Sequence, residues 1–391
     1  MLPNGRPNRP RRKGADPCCG RRRNDGALPG VDKEGVSPAY SNRNQEATLS
    51  IARAPSLFAL AVCPLILLVP GCAREKSTPD RAGPSIAVRL PERDLIPEGI
   101  AYDAATGRTF LSSFRKSKVV VVDSLGQARD FILPRAHGLR STVGLAIDPA
   151  RRRLWVASAS GAYQADFDPK RDTTTGVFVF DLDSARLLWR HERKQQAPRD
   201  FYNDFGLDGR GGAYASTFGG HSVVHFGTDG GAPVPVARFA DTELPNGLTL
   251  DRDAGLLFVS TSSGLATIAV ADGGVRRLTA PEGESVAGID GLYLEEGTGD
   301  LLAVQDKEGV GRPGHRIVRL RRAPGDSAIA AVEPLADEHP TFDQPTTAAL
   351  APGALLVLAT SQFTKFDDQA RLAPDSLLRD VIVLRIPLAG R

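Results

Sequence analysis

The chain has 391 residues, 24% of them charged and 6% aromatic, with 40 glycines, 29 prolines and a formal charge of +3. That length allows one large domain or two ordinary ones, and so much Gly and Pro suits a fold with many turns. Residues 1–52 carry ten Lys/Arg against five Asp/Glu, leaving 39 against 41 beyond them, so no electrostatic case exists for nucleic acid.

Residues 1–52 interleave Arg11-Arg12-Lys13 and Arg21-Arg22-Arg23 with Pro, Gly and Asn. Nothing periodic there could bury a face, and the segment reads as a disordered basic leader. It is either an anchor arm or a stretch upstream of the true start. The second reading is preferred, because the next segment of the chain has the form of a signal sequence.

Pro55 to Pro70 is an apolar run without a charge, preceded by Arg53 and closed by Gly71-Cys72. About sixteen residues is short for a membrane span and right for a signal h-region. Leu68-Val69-Pro70-Gly71-Cys72 resembles a bacterial lipobox, with Pro70 in place of the usual small residue. The expectation is therefore a signal segment over 53–72 with Cys72 as the lipidated residue; an uncleaved anchor helix is the alternative. Either way the body leaves the cytoplasm, as a lipoprotein held to the cell envelope in the periplasm or at the cell surface. The membrane is then met through a lipid anchor only. The four cysteines are Cys18, Cys19, Cys63 and Cys72. With none beyond, the body has neither disulfides nor thiol chemistry.

After a polar tether over 73–84 the chain repeats itself. Ile100-Ala101-Tyr102-Asp103, Leu145-Ala146-Ile147-Asp148, Phe205-Gly206-Leu207-Asp208, Leu248-Thr249-Leu250-Asp251 and Leu292-Tyr293-Leu294-Glu295 share the order apolar, any, apolar, acid. Ala348-Ala349-Leu350 is a degenerate sixth copy. Each reads as a strand of period two ending in a turn-forming carboxylate. A second strand ending in small polar residues and a third strand follow each copy, and usually a fourth. Six units of roughly 43 to 60 residues predict an all-β, six-bladed β-propeller over 85–391. Ile86 to Leu90 can supply the missing outer strand of the last blade, closing the ring and covering an edge.

In such a fold the first strand of each blade lines the axis. The residue two places before the repeated pattern then stands at the channel mouth in every blade: Glu98, Val143, Asn203, Asn246, Asp290 and Thr346. The residue after it is Gly99, Gly144, Asp204, Gly247, Gly291 or Thr347, and four glycines in six point to a tight backbone approach. Carboxylates converging in a narrow channel raise one another's pKa or recruit a cation. An oxygen-only ring with room for water suits a hard divalent ion, Ca²⁺ above zinc. The other reading is a polar channel satisfied by water and backbone amides.

PEGIAYD (97–103), FYNDFGLD (201–208), PNGLTLD (245–251) and IDGLYLE (289–295) resemble segments of the senescence marker protein/gluconolactonase family, the regucalcin-like lactonases, and the resemblance spans all six blades. It implies that Glu98, Asn246 and Asp290 hold a divalent metal, and that Asn203, followed by Asp204, contacts substrate beside it. Where that family commonly has an arginine beside the blade-three Asn, this chain has Phe201-Tyr202, so a sugar acid lactone is not implied.

Rim loops complete the site. Arg115 and His221 leave second strands on the same face and could orient an anionic or carbonyl-bearing ligand, and long loops over 159–175, 306–314 and 362–379 could roof a pocket. His137 reads as an ordinary loop residue. Asp166, Asp168 and Asp172 lack the spacing and the glycine of an EF-hand loop. With no G-x-S-x-G in the chain, serine-triad chemistry has no support. The expected function is a metal-dependent hydrolase of a lactone or related ester. The cation would polarise the carbonyl and activate the attacking water, Asp290 would combine ligation with proton transfer, and Asn203 would orient the small-molecule substrate. The alternative is a non-catalytic propeller lipoprotein, a platform for a ligand or protein partner.

Overall fold

The computed structural model describes residues 83–197, 199–306 and 314–388. The basic leader 1–52, the signal-like segment with Cys72, and the tether up to residue 82 lie outside the described residues, as does most of the loop over 306–314.

The repeat becomes six antiparallel four-stranded sheets, each an up-and-down blade. Blade one is Ile100–Asp103, Arg108–Ser113, Lys118–Val122 and Ala128–Ile132; blade two is Ser141–Asp148, Arg153–Ala159, Thr174–Asp181 and Leu187–Lys194. Blade three is Tyr202–Leu207, Ala213–Thr217, Ser222–Phe226 and Val234–Arg238; blade four is Leu248–Asp251, Leu256–Thr261, Gly264–Ala269 and Val275–Arg277. Blade five is Ile289–Leu294, Leu301–Asp306, His315–Arg322 and Ile329–Asp337. Blade six takes Ala348–Ala351, Ala354–Leu358 and Val381–Pro387 from the C-terminal end, and Ser85–Leu90 pairs antiparallel with the last of these, Leu90 opposite Val381. The helices among the described residues are three-residue 3₁₀ turns, none long and apolar enough to cross a membrane.

The middle strands are apolar on both sides because each blade is packed on both faces. Lys118–Val122 shows the division. Val119 and Val121 pack toward blade two with Leu154, Val156 and Phe178, while Val120 and Val122 pack toward blade six with Leu356, Val381 and Val383. There is accordingly no central core. Six apolar clusters lie between successive blades, and the axis is left as a channel.

The acids that end the first strands act as turn-formers. Asp148 Oδ1 accepts from the N–H of Ala150 (3.1 Å) and of Arg151 (3.2 Å), and Asp208 Oδ1 accepts from Arg210 (2.7 Å) and Gly212 (2.9 Å). Asp103 also pairs with Arg152 of blade two at 2.8 Å, which fastens neighbouring blades at the end away from the channel mouth. Those guanidinium contacts hold its carboxyl well below the usual range.

Candidate active site

Three of the ring positions sit in β-bulges. The pairing of the first strand with the second slips between Thr142 and Leu145 in blade two, Tyr202 and Phe205 in blade three, and Ile289 and Leu292 in blade five. The skipped pairs are Val143-Gly144, Asn203-Asp204 and Asp290-Gly291. A bulge releases two residues from the ladder and re-aims their side chains. In blades one, four and six the regular strand begins only after the ring residue, at Ile100, Leu248 and Ala348.

The glycines follow from the closeness of the next blade. A Cβ on Gly99 would stand 2.2 Å from the carbonyl oxygen of Val143, one on Gly144 2.2 Å from that of Asn203, and one on Gly247 2.2 Å from that of Asp290. At Gly291 a Cβ would stand 2.5 Å from the hydroxyl of Tyr293 in its own strand and 3.0 Å from Thr347 Cα of the next blade. Backbone bonds join the blades at this level, Gly247 N–H to Asp290 O (2.9 Å) and Gly291 N–H to Thr346 O (3.0 Å). Together these residues form a collar. Blades three and six depart from the glycines, Asp204 filling the place with a carboxylate and Thr347 with a hydroxyl.

The structure brings Asn203, Asn246 and Asp290 into one hydrogen-bonded line. Asn203 Nδ2 donates to Asn246 Oδ1, and Asn246 Nδ2 donates to Asp290 Oδ1 at 2.6 Å. Glu98 lies across the mouth from this arc. Its carbonyl accepts from the hydroxyls of Thr346 (3.0 Å) and Thr347 (2.6 Å), and its Oε2 is buried with no hydrogen-bond partner among the described residues.

The charges in the ring act on one another. Burial, then the negative charges of Asp290 and Asp204, hold the Glu98 carboxyl well above the usual carboxylate range. Burial pushes Asp204 up to about 7, against one bond from the Phe205 N–H to its Oδ1 (2.8 Å). Asp290 is likewise pushed up to about 7 by burial, with the Asn246 amide opposing and Asp204 and Asp306 adding repulsion. Each of these acids keeps a strip of surface on the channel, but protein surrounds them and hydration is poor.

Below the collar the channel widens into a cavity of about 410 Å³ walled by Tyr102, Ile147, Phe205, Leu250, Leu292 and Tyr293. Gly99, Gly144, Asp204 and Thr347 of the collar form its end. Tyr293 receives the Ala348 N–H on its hydroxyl oxygen at 2.6 Å, and burial with three nearby acids pushes that phenol well above its ordinary value.

Serines that end the second strands brace the ring. Ser112 Oγ accepts from the N–H of Gly99 (2.7 Å), Ser216 Oγ from that of Asp204 (3.2 Å), and Ser260 Oγ donates to Gly247 O (3.2 Å). Tyr293 and these serines were not among the residues expected to form the site, and Asp204 was expected at the mouth beside Asn203 but without a role of its own. The small polar ends of the second strands were the signal for the serines.

At the rim, His221 donates from Nδ1 to the Glu243 carbonyl at 2.7 Å; a carbonyl can only accept, so the neutral ring keeps its lone pair on Nε2. Arg115 lies in the turn after Ser113, where its carbonyl accepts from the Ala165 N–H (2.9 Å) and ties the rim of blade one to the long loop of blade two. That loop is anchored by Asp172, whose side chain is fully buried and meets Arg135 (2.9 Å), Arg140 (2.8 Å) and Arg171 (2.8 Å). Asp172 therefore pins the loop, and His137 is a turn residue packed on Phe180.

The residues fit a cation in their chemistry. The Glu98 oxygen is orphaned, two acids are held near neutrality, and Asn246 Oδ1 has a second lone pair beside the one Asn203 uses. Among the described residues no three His, Cys, Asp or Glu side chains are gathered tightly enough to cage a metal by themselves. A cation here would need the Asn246 carbonyl and water as well.

No protein-family model matches the chain, and no curated protein matches it. Solved structures do. A gluconolactonase from Xanthomonas campestris superposes with a TM-score of 0.50 and 16% identity, over 79% of this chain and 96% of that one. A luciferin-regenerating enzyme gives 0.53 and 16%, over 79% and 96%. A glucose dehydrogenase gives 0.54 and 14%, over 79% and 100%. At these identities the likeness is one of fold, the six-bladed propeller.

Proposed function

We propose that the ring is the active centre of a divalent-cation-dependent hydrolase acting on a lactone or related ester, carried on an envelope lipoprotein anchored at Cys72. The observation that carries this reading is Glu98, whose buried, unpartnered Oε2 shares the channel mouth with two further acids held near neutrality. Such a cluster costs the fold stability unless something positive offsets it. Glu98, Asn246 and Asp290 would hold the ion, and their oxygen donors suit Ca²⁺. When bound, it would polarise the substrate carbonyl and stabilise the charge that develops on it.

The chain's own groups supply the rest. Water adds to the carbonyl carbon, the C–O bond breaks, and the proton released by the water passes through Asp290 to the leaving alkoxide. A carboxylate beside the reacting carbonyl would take that proton and return it. Asn203 stands at the far end of the hydrogen-bonded line and orients the ester group, while Arg115 and His221 receive polar substrate groups at the rim. The scaffold is shared with a gluconolactonase and a luciferin-regenerating enzyme but also with a glucose dehydrogenase, so it supports this reading without choosing the chemistry.

The second reading, a non-catalytic binding platform, is favoured by the Asn203–Asn246–Asp290 line, which satisfies the polar arc without an ion. A panel of lactones and esters, run on chelated protein and again with added Ca²⁺, separates the two. Hydrolysis that appears with the cation and is lost on chelation supports the hydrolase. A folded protein that is inert on every substrate, and whose melting temperature alone responds to the cation, is the platform.

A further inference from the structure

The ring has one apolar position, in blade two, between Glu98 and the polar arc. Its polar side chains in blades three to five form the Asn203–Asn246–Asp290 line, while blade two contributes Val143, which has no polar side-chain atom. Above blades six, one and two stand four aromatic side chains drawn from three rim loops. Tyr163 stacks on Phe366 with ring centroids 4.3 Å apart and 23° between planes, and Phe114 meets Phe363 edge-on at 5.2 Å. Phe114 and Phe363 also flank Tyr163, at 6.2 Å and 6.3 Å.

Two anchors place this wall at the channel mouth. The Phe114 N–H donates to Ile96 O (3.0 Å), two residues before Glu98. Phe363 lies two residues after Ser361, whose hydroxyl meets that of Thr346 in the ring at 2.8 Å. A further bond fixes the loop bearing Tyr163: Gln164 accepts the Ser141 N–H on Oε1 (3.3 Å) and donates from Nε2 to the buried Asp172 (3.2 Å). The wall is thus preorganised.

Core packing does not account for it. Phe114 alone leans on an inter-blade cluster, the one between blades two and three; Tyr163, Phe363 and Phe366 belong to none of the six, and all four rings remain half-buried. Four rings from loops far apart in sequence, held partly in water beside a polar ring, form an apolar surface of the kind that lines ligand sites. Blade three carries a second aromatic pair, in which Phe201 stacks on Phe218 at 5.5 Å and the Arg199 guanidinium covers Phe218 at 4.8 Å.

We infer that the Phe114–Tyr163–Phe363–Phe366 wall is the specificity subsite of the ring, and that the substrate is a lactone or ester bearing an alkyl or aryl group rather than a polyhydroxylated sugar lactone. The inference rests on the ring being the reactive centre. The ester group lies over the polar arc, and the apolar group lies against the rings. Of the four wall residues only Tyr163 carries a hydroxyl, so a sugar would lose hydration there with little return.

The test compares γ-butyrolactone, γ-decalactone and glucono-δ-lactone on purified protein with Ca²⁺, wild type against Tyr163→Ala, Phe363→Ala and the milder Phe366→Leu. Melting curves verify that each variant folds. The wild-type kcat/KM should rise about threefold per methylene that reaches the wall. The alanine variants should flatten that slope, Phe366→Leu should lie between, and glucono-δ-lactone should be the poorest substrate. Cation-dependent turnover with no such slope, or with glucono-δ-lactone preferred, overturns the subsite and leaves the hydrolase standing. If nothing is turned over, calorimetric titration with γ-decalactone decides. Binding weakened about tenfold by Phe363→Ala keeps the subsite and removes the hydrolase, whereas unchanged or absent binding overturns the subsite.

Discussion

Asn246 donates its amide N–H to Asp290 at 2.6 Å while accepting from Asn203 on its carbonyl, so one amide joins blades three, four and five at the channel mouth. Its orientation is directional, with donors aimed at the carboxylate. Asp290 is thus poised between two states, charged and receiving the amide, or protonated in a site too dry for its charge.

Replacing Asp290 by Asn keeps the shape and removes the charge. Turnover should fall about 10²–10³-fold with Ca²⁺ affinity falling at least about tenfold. Asn203→Ala leaves the three proposed ligands in place and should lower kcat/KM about tenfold with a smaller change in ion affinity. Steady-state kinetics beside calorimetric Ca²⁺ titration reads both. Equal loss of affinity in the two variants would remove Asn203 from its positioning role.

The raised acids give a pH signature of definite sign. Asp204 and Asp290 are held at about 7 in the fold, against the ordinary carboxylate value near 4 when unfolded. Between those values the folded chain binds more protons than the unfolded one. This contribution to stability is therefore fully present below about pH 4 and is lost as pH rises through about 7. Thermal melts of chelated protein should show it. Added Ca²⁺ should reverse it, since ligation needs the deprotonated acids, and Ca²⁺ affinity should climb as pH rises toward 7. A chelated protein whose melting temperature ignores this window would remove the acids from the ring's energetics.

Gly247→Ala places a Cβ 2.2 Å from the Asp290 carbonyl. Blades four and five must part to admit it, at a cost of about 2–4 kcal/mol. Chemical denaturation measures the loss, and Ca²⁺ binding should weaken with it because Asp290 moves with its carbonyl. Gly255→Ala is the contrast, since nothing lies within 4 Å of a Cβ there and only the positive φ of 63° opposes it.

Cys72 is open to a direct measurement. If it is the lipidated residue, the mature chain begins there and partitions into detergent, and Cys72→Ser blocks processing or releases the body from membranes. A mature N-terminus upstream of residue 53 in the membrane fraction would refute the assignment.

The blades were legible because each repeat carries its own instructions. Ile100 to Asp103 alternates apolar side chains and then stops on an acid that binds the next turn, and that pattern needs no partner blade to be recognised. The ring was legible by position, because equal places in equal repeats meet at the axis. Contacts that cross between repeats were not. Nothing near Asn246 in the sequence announces Asn203 or Asp290 as its partners, and nothing near Tyr293 announces the Ala348 N–H. Asp204 was visible as an acid among glycines, but its weight in the ring comes from burial, which only the closed collar supplies. The aromatic wall was hidden most deeply, since Phe114 and Phe363 come together only when the last blade lies beside the first.

The collar also divides the channel into parts that can and cannot vary. At four of its six seats the neighbouring backbone or side chain leaves no room for a Cβ, so those seats take no side chain while the blades keep their places. Only Asp204 and Thr347 stand where a side chain fits. The constriction can therefore be recharged or neutralised at two addresses while its bore stays fixed, and the six positions just outside it remain free to take new functional groups. A lineage using this scaffold could exchange one reaction for another without refolding a blade.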